Sequence, residues 1–181
     1  MKTCIILFRG INIGGKHILP MKELAPLLEK LGLVNVRTYI QSGNVVFQSQ
    51  AANTPALATR ISAEIKKRYG FAPQVFILSL REIKRTVASN PFPKAESAPT
   101  SLHVYFLAST PGKDVLKKLE SIKRDSEAIR LVGQNLYLHA PEGVGRSKLA
   151  MNAEKILGVP ATARNWRTVC KLLEMAGNPA G

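Results

Sequence analysis

Arg9, Asn12 and Lys16 stand around three glycines, Gly10, Gly14 and Gly15, directly after the apolar run Cys4-Ile5-Ile6-Leu7-Phe8. Glycine lets a backbone turn sharply or come close to a ligand. An apolar strand leading into a cationic, glycine-rich loop and then a helix is suited to holding an anion. Gln41, Ser42 and Asn44 form a second polar set around Gly43. Arg146, Ser147 and Lys148 form a third, and Arg164, Asn165, Trp166 and Thr168 a fourth. Guanidinium, ammonium, amide and hydroxyl groups together make charge-assisted hydrogen bonds to a phosphate or a carboxylate. The first two sets contain no carboxylate, so general-base chemistry has no evident source there.

Each of these residues also has an ordinary explanation. Gly14, Gly15, Gly143 and Gly145 are natural turn glycines. Ser147 and Asn165 are natural helix N-caps. Ser42 and Asn44 can hold a hairpin, and Trp166 can anchor a core. Singly, the ordinary explanation is favoured; the cationic loops taken together favour a ligand site.

Known motifs narrow the chemistry. Gly10 to Gly15-Lys16 has the spacing of a phosphate-binding P-loop, but His17 stands where the magnesium-binding Ser or Thr belongs. His17, His103 and His139 are isolated and no Cys-x-x-Cys occurs, so no metal site and no cofactor is expected. No Gly-x-Ser-x-Gly elbow is present. An RNA-recognition sheet would carry stacked aromatics on its third strand, and Gly43-Asn44-Val45-Val46-Phe47 offers one. Consecutive apolar residues in the central strands also predict that both sheet faces are buried, leaving no open face for bases.

The chain has 181 residues, 45% of them hydrophobic, with 26 Lys and Arg against 12 Asp and Glu, a net charge of +14. Such an excess favours acidic partners: nucleic acid, nucleotides or other anions. The basic residues are spread, as in Lys66-Lys67-Arg68, Lys84-Arg85 and Lys117-Lys118, which equally fits a solvated surface. No apolar run reaches the roughly 20 residues of a membrane span, and the first apolar run is too short for a signal peptide. The expected location is the cytoplasm, without membrane association. Cys4 and Cys170 lie far apart among apolar neighbours and read as reduced, buried thiols.

The elements that must position these residues follow from periodicity. Strands are expected at Cys4–Arg9, Val34–Ile40, Asn44–Gln48 and Gln74–Leu78. A helix carries Leu24, Leu27, Leu28 and Leu31 up to Gly32, with Pro26 expected to kink it or delay its start. A second starts at Thr54-Pro55 and buries Leu57, Ile61 and Ile65. Ser79-Leu80-Arg81-Glu82 is a capping box that opens a third. After the proline-rich stretch 91–101 the order repeats. Strands are expected at Leu102–Leu107, Glu127–Val132, Asn135–His139 and Ala161–Arg164. Helices are expected at Asp114–Ile122, Ser147–Leu157 and Trp166–Ala176, the last burying Trp166, Val169, Cys170 and Leu173. The predicted class is α+β: two ferredoxin-like β-α-β-β-α-β-α repeats with antiparallel sheets, residues 1–90 and 102–181. In that topology the loop after strand one meets the hairpin turn after strand two, gathering Arg9, Asn12 and Lys16 with Gln41, Ser42 and Asn44. In the second repeat the loops after strands three and four share an end, which is expected to bring Arg146, Lys148 and Arg164 near two helix N-termini.

The motifs Arg9-Gly10-Ile11-Asn12-Ile13-Gly14-Gly15-Lys16 and Tyr39-Ile40-Gln41-Ser42-Gly43-Asn44-Val45-Val46-Phe47 resemble the N-terminal signatures of a bacterial domain-of-unknown-function family, numbered sixteen ninety-seven. Asn90-Pro91-Phe92, Gly145-Arg146-Ser147-Lys148-Leu149 and Arg164-Asn165-Trp166-Arg167-Thr168-Val169 resemble its later ones. The resemblance covers nearly the whole chain. It implies a small cytoplasmic protein of α+β fold and brings no reaction with it. His17, Ala150 and Arg167 depart from residues usual in that pattern, so it assigns those side chains no role.

The expected function is binding of a phosphate-bearing ligand, a nucleotide or a nucleic-acid backbone, through the two cationic loop clusters. One alternative is an enzyme acting on an anionic small molecule, with Lys16 or Lys148 stabilising developing charge and Ser42 or Ser147 as nucleophile. Another is a structural or protein-partner module. Oligomeric state is not legible.

Overall fold

A computed structural model describes residues 1–50 and 55–178. Among the described residues, eight strands and six α-helices follow one another in the order β-α-β-β-α-β-α, twice. The first half contains β1 (Lys2–Arg9), α1 (Met21–Lys30), β2 (Val34–Tyr39), β3 (Asn44–Ser49), α2 (Pro55–Tyr69), β4 (Gln74–Ser79) and α3 (Leu80–Ala88). The second contains β5 (Leu102–Leu107), α4 (Val115–Glu120), β6 (Ala128–Val132), β7 (Asn135–His139), α5 (Lys148–Leu157), β8 (Ala161–Asn165) and α6 (Trp166–Gly177). The strands form two four-stranded antiparallel sheets, ordered β2-β3-β1-β4 and β6-β7-β5-β8. Two compact units result, Met1–Arg85 with Lys171–Gly181, and Thr86–Cys170. The division falls inside α3 and inside α6.

In the first unit β1 is central, and every residue from Cys4 to Phe8 is buried. Both faces of that strand are therefore covered, as its unbroken apolar run predicts. Cys4, Ile6 and Phe8 pack with Leu24, Leu28, Ile61 and Ile65 of α1 and α2. Helix α1 runs through Pro26, which neither delays its start nor ends it. Pro26 is exposed, so the carbonyl that loses its partner can face water. The guanidinium of Arg37, on β2, donates to the carbonyls of Met175 and Asn178 at the end of α6. The last carbonyls of a helix have no partner within it, and the positive charge suits the helix dipole there.

In the second unit Tyr105, Leu107, Leu136 and Leu138 pack with Leu119 of α4 and Leu149, Ala153 and Leu157 of α5. On the other face of that sheet the Tyr137 hydroxyl donates to the Thr86 carbonyl at 2.7 Å, and the Asn135 amide to the Thr86 hydroxyl at 2.9 Å. Helix starts follow local chemistry. Ser79 and Glu82 form the reciprocal capping box, with Ser79 N–H to Glu82 Oε2 at 2.7 Å and Glu82 N–H to Ser79 Oγ at 3.2 Å. The expected Thr54 cap lies outside the described residues. In α6 the buried stripe is Trp166, Val169, Leu172 and Ala176. Leu172 is the buried leucine and Leu173 is only half-buried. Stepping by three from Val169 selects Leu172, where a step of four selects Leu173.

Candidate functional site

The glycine-rich loop of the first unit is a miniature hairpin. Lys16 N–H donates to Ile13 O at 2.9 Å, and Asn12 N–H to His17 O at 3.1 Å. Gly14 and Gly15, at φ of +55° and +74°, fill the two central positions of a two-residue turn, where positive φ is required. The loop is therefore a protruding turn, and α1 begins only at Met21. A helix N-terminus does not follow the glycines directly, as it would in a phosphate-binding loop.

Asn12 is the node of this region. Its Oδ1 accepts from Leu19 N–H at 2.8 Å, and its Nδ2 donates to Leu19 O at 3.0 Å and to Gln41 O at 2.9 Å. One side chain thus closes the hairpin loop and ties it to the β2–β3 turn. Of the residues expected to gather here, Asn12 reaches the β2–β3 turn, and it does so structurally, with its amide engaged. Asn44 is fully buried; its Nδ2 donates to Tyr39 O at 3.1 Å and Ser42 Oγ at 2.9 Å. Arg9 stands opposite Gln74 across β1–β4 and donates to its Oε1 at 2.6 Å. Lys16, Gln41 and Ser42 are exposed. The chain passes closest at Gly43, where a Cβ would lie 2.5 Å from Ile11 Cδ1 and 2.8 Å from Phe8 Cβ. His17 donates from Nδ1 to Gly10 O at 2.9 Å and stacks on Phe71, with ring centroids 4.7 Å apart.

Sequence reasoning passed over the apolar residues in the same loops. Ile13, Ile18 and Ile40 are 66%, 54% and 50% exposed. Ile40 also has φ of +49°, a left-handed conformation that costs a β-branched residue about 1–2 kcal/mol. The available signal was the presence of isoleucines within glycine-rich turn segments, where polar residues are usual.

In the second unit, the ends of β7 and β8 flank the start of β5, with His139 opposite Leu102 and Asn165 opposite His103. The loops after these strands share one end of the sheet. They do not share a face. Arg164 and Thr162 lie opposite Val104 and Phe106, on the face away from Tyr105, Leu136 and α5. Arg164 is buried and donates to Thr162 Oγ1 at 2.9 Å and Ala163 O at 2.7 Å. Burial pulls its pKa down to about 10, which leaves it charged at neutral pH. It therefore does not join Arg146 and Lys148 in one cluster. Those two are exposed on either side of Ser147, which is fully buried and accepts from Ala150 N–H at 2.9 Å. Asn165 caps α6 by accepting from Thr168 N–H at 2.9 Å, and Trp166 and Thr168 are buried.

A carboxylate does stand in the second cationic loop. Glu142 accepts from Ser126 Oγ at 2.7 Å and Arg124 Nη1 at 2.8 Å. The Ser126 bond and the Arg124 charge hold its carboxyl below the usual range, with a smaller contribution from Arg146. Among the described residues no group of three or more His, Cys, Asp or Glu is placed to hold a metal ion. A cavity of about 400 Å³ lies between α2 and the start of β4, lined by Ala58, Ser62, Pro73 and Val75. Another, of about 530 Å³, is lined by residues including Leu33, Ser49, Leu57 and Arg60. Neither is lined by a residue of the cationic loops.

The chain is 25% identical to a solved structure described as the conserved bacterial protein SP0830 from Streptococcus pneumoniae, with a TM-score of 0.74 over 98% of this chain and 99% of that one. Among curated proteins none matches. The profile of the family described as Protein of unknown function (DUF1697) matches residues 1–137. With three quarters of its length under that profile, the chain belongs to the DUF1697 family, whose function is unknown.

Proposed function

We propose that this protein binds the phosphate backbone of a nucleic acid through exposed cations. One observation carries the reading: Arg146 and Lys148 are both exposed beside the buried Ser147 cap at the head of α5. Two cations and a helix N-terminus favour an anion at the same place. Small ligands are usually enclosed in clefts, and these cations stand on open surface, which suits an extended polyanion. The first unit adds Lys16 at its hairpin turn. Each unit has a basic excess of its own: 14 Lys and Arg against 5 acidic residues in the first, and 12 against 7 in the second. Catalysis by Ser147 finds no support, because its hydroxyl is buried and caps the helix.

We also read the two halves as ferredoxin-like repeats in sequence order, 1–90 and 102–181, joined by the stretch 91–101. The doubled element order and the equivalent strand orders support that reading.

Fluorescence anisotropy with a labelled single-stranded oligonucleotide at low salt tests the function. The double variant Arg146→Gln/Lys148→Gln should lose about tenfold in affinity while circular dichroism shows an unchanged fold. Equal affinity of the folded variant and wild type would refute the reading.

A further inference from the structure

We propose that the isoleucine patch on the first unit's hairpin end is a docking surface for an acidic protein segment carrying apolar side chains. Four observations lead there. First, the three isoleucines sit on chain segments that are bonded to one another. Asn12 bonds both Leu19 and Gln41, and Ile13, Ile18 and Ile40 are the chain neighbours of those three residues. Second, the exposure is out of character for this unit, in which Ile5, Ile6, Ile11, Ile61, Ile65 and Ile83 are all buried. Clustered exposed apolar side chains of this kind mark interaction sites. Third, folding does not account for Ile40. Its side chain is half exposed and its backbone is left-handed, so neither burial nor local conformation favours isoleucine there. Fourth, the surface is held in place before any partner arrives. The two-residue turn, the Asn12 bonds and the His17–Phe71 stack fix the loop, which lowers the ordering cost of binding.

The charge of this unit selects the occupant. With 14 Lys and Arg against 5 acidic residues, and Lys16 exposed within the patch, it attracts a segment that places Asp or Glu beside its apolar residues. A second copy of the chain carries the same positive excess and is repelled. A bilayer is disfavoured because the exposed Gly14-Gly15 backbone would lose its water without gaining partners, whereas a peptide can supply them. This surface is independent of Arg146 and Lys148, which belong to the other unit.

The test is selection of a phage-displayed random-peptide library on the full chain, followed by affinity measurement of the enriched peptides on variants. Enrichment of peptides that combine Asp or Glu with Leu, Ile or Phe is expected. Their affinity should fall about tenfold or more in Ile13→Ser/Ile18→Ser and in Ile40→Gly, while Ile40→Gly melts above wild type because the left-handed strain is relieved. No enrichment, enrichment of basic peptides, or equal binding to the folded variants would overturn the proposal. Two further outcomes would also overturn it: concentration-dependent dimers abolished by Ile13→Ser/Ile18→Ser, and anionic-lipid vesicle binding abolished by the same change. Each would give the patch a different occupant.

Discussion

At the scale of single residues, two glycines separate the demands of space from the demands of conformation. Gly43 has φ of +77° and no room, with Ile11 and Phe8 within 3 Å of any added Cβ. Gly14 has φ of +55° and open space around it. Gly43→Ala should therefore destabilise by about 2–4 kcal/mol, and Gly14→Ala by about 1 kcal/mol. Urea titrations of both variants check the order; a costlier change at Gly14 would contradict the close packing of the loop on β1. His103 supplies a pH dependence. Its Nδ1 is buried without a hydrogen-bond partner among the described residues, and burial pulls its pKa from 6.5 down to about 4. Between those values the unfolded chain binds a proton that the folded chain refuses. The contribution of His103 is thus intact above pH 6.5 and is lost progressively down to pH 4, by up to about 3 kcal/mol. His103→Leu should flatten stability across that window; an undiminished slope would assign it to other groups.

At the scale of elements, much was legible because it depends on periodicity and hydrogen-bonding geometry. The strand orders follow once two β-α-β-β-α-β units are read, and the Ser79–Glu82 box was visible as residue types at fixed spacing. What failed turned on phase and parity. Adjacent leucines at 172 and 173 leave the phase of α6 open to a helical period, and the structure chooses Leu172. Leu172→Ala should accordingly cost about 2–5 kcal/mol and Leu173→Ala clearly less, as paired thermal melts would show; the reverse order would shift the stripe back. Parity matters at Ala161-Thr162-Ala163-Arg164, where strand alternation puts Thr162 and Arg164 on the face away from Tyr105 and α5. Both Thr162 and Arg164 are buried, so the arginine is part of the interior and Arg146 and Lys148 stand without it. Asn12 was recognised as important for another reason. Its amide is aimed by a left-handed backbone, φ +53°, and residue type alone does not reveal three bonds to two segments.

At the scale of the whole molecule, composition was the most direct guide and the least specific. The charge of +14 is divided over both units, and +9 of it belongs to the first, where 14 basic residues meet 5 acidic ones. The family match spans residues 1–137, which takes in the motifs at 9–16, 39–47 and 90–92, while those at 145–149 and 164–169 lie beyond it. Whether the exposed cations act on a phosphate backbone is read most directly from the salt dependence of oligonucleotide binding. Each phosphate contact adds roughly 0.7 to the slope of log K against log salt for a single strand. Wild type should show a steep negative slope, and Arg146→Gln/Lys148→Gln a slope shallower by about 1.4, for two lost contacts. A wild-type affinity that does not change with salt, or parallel slopes for the two proteins, would contradict the account.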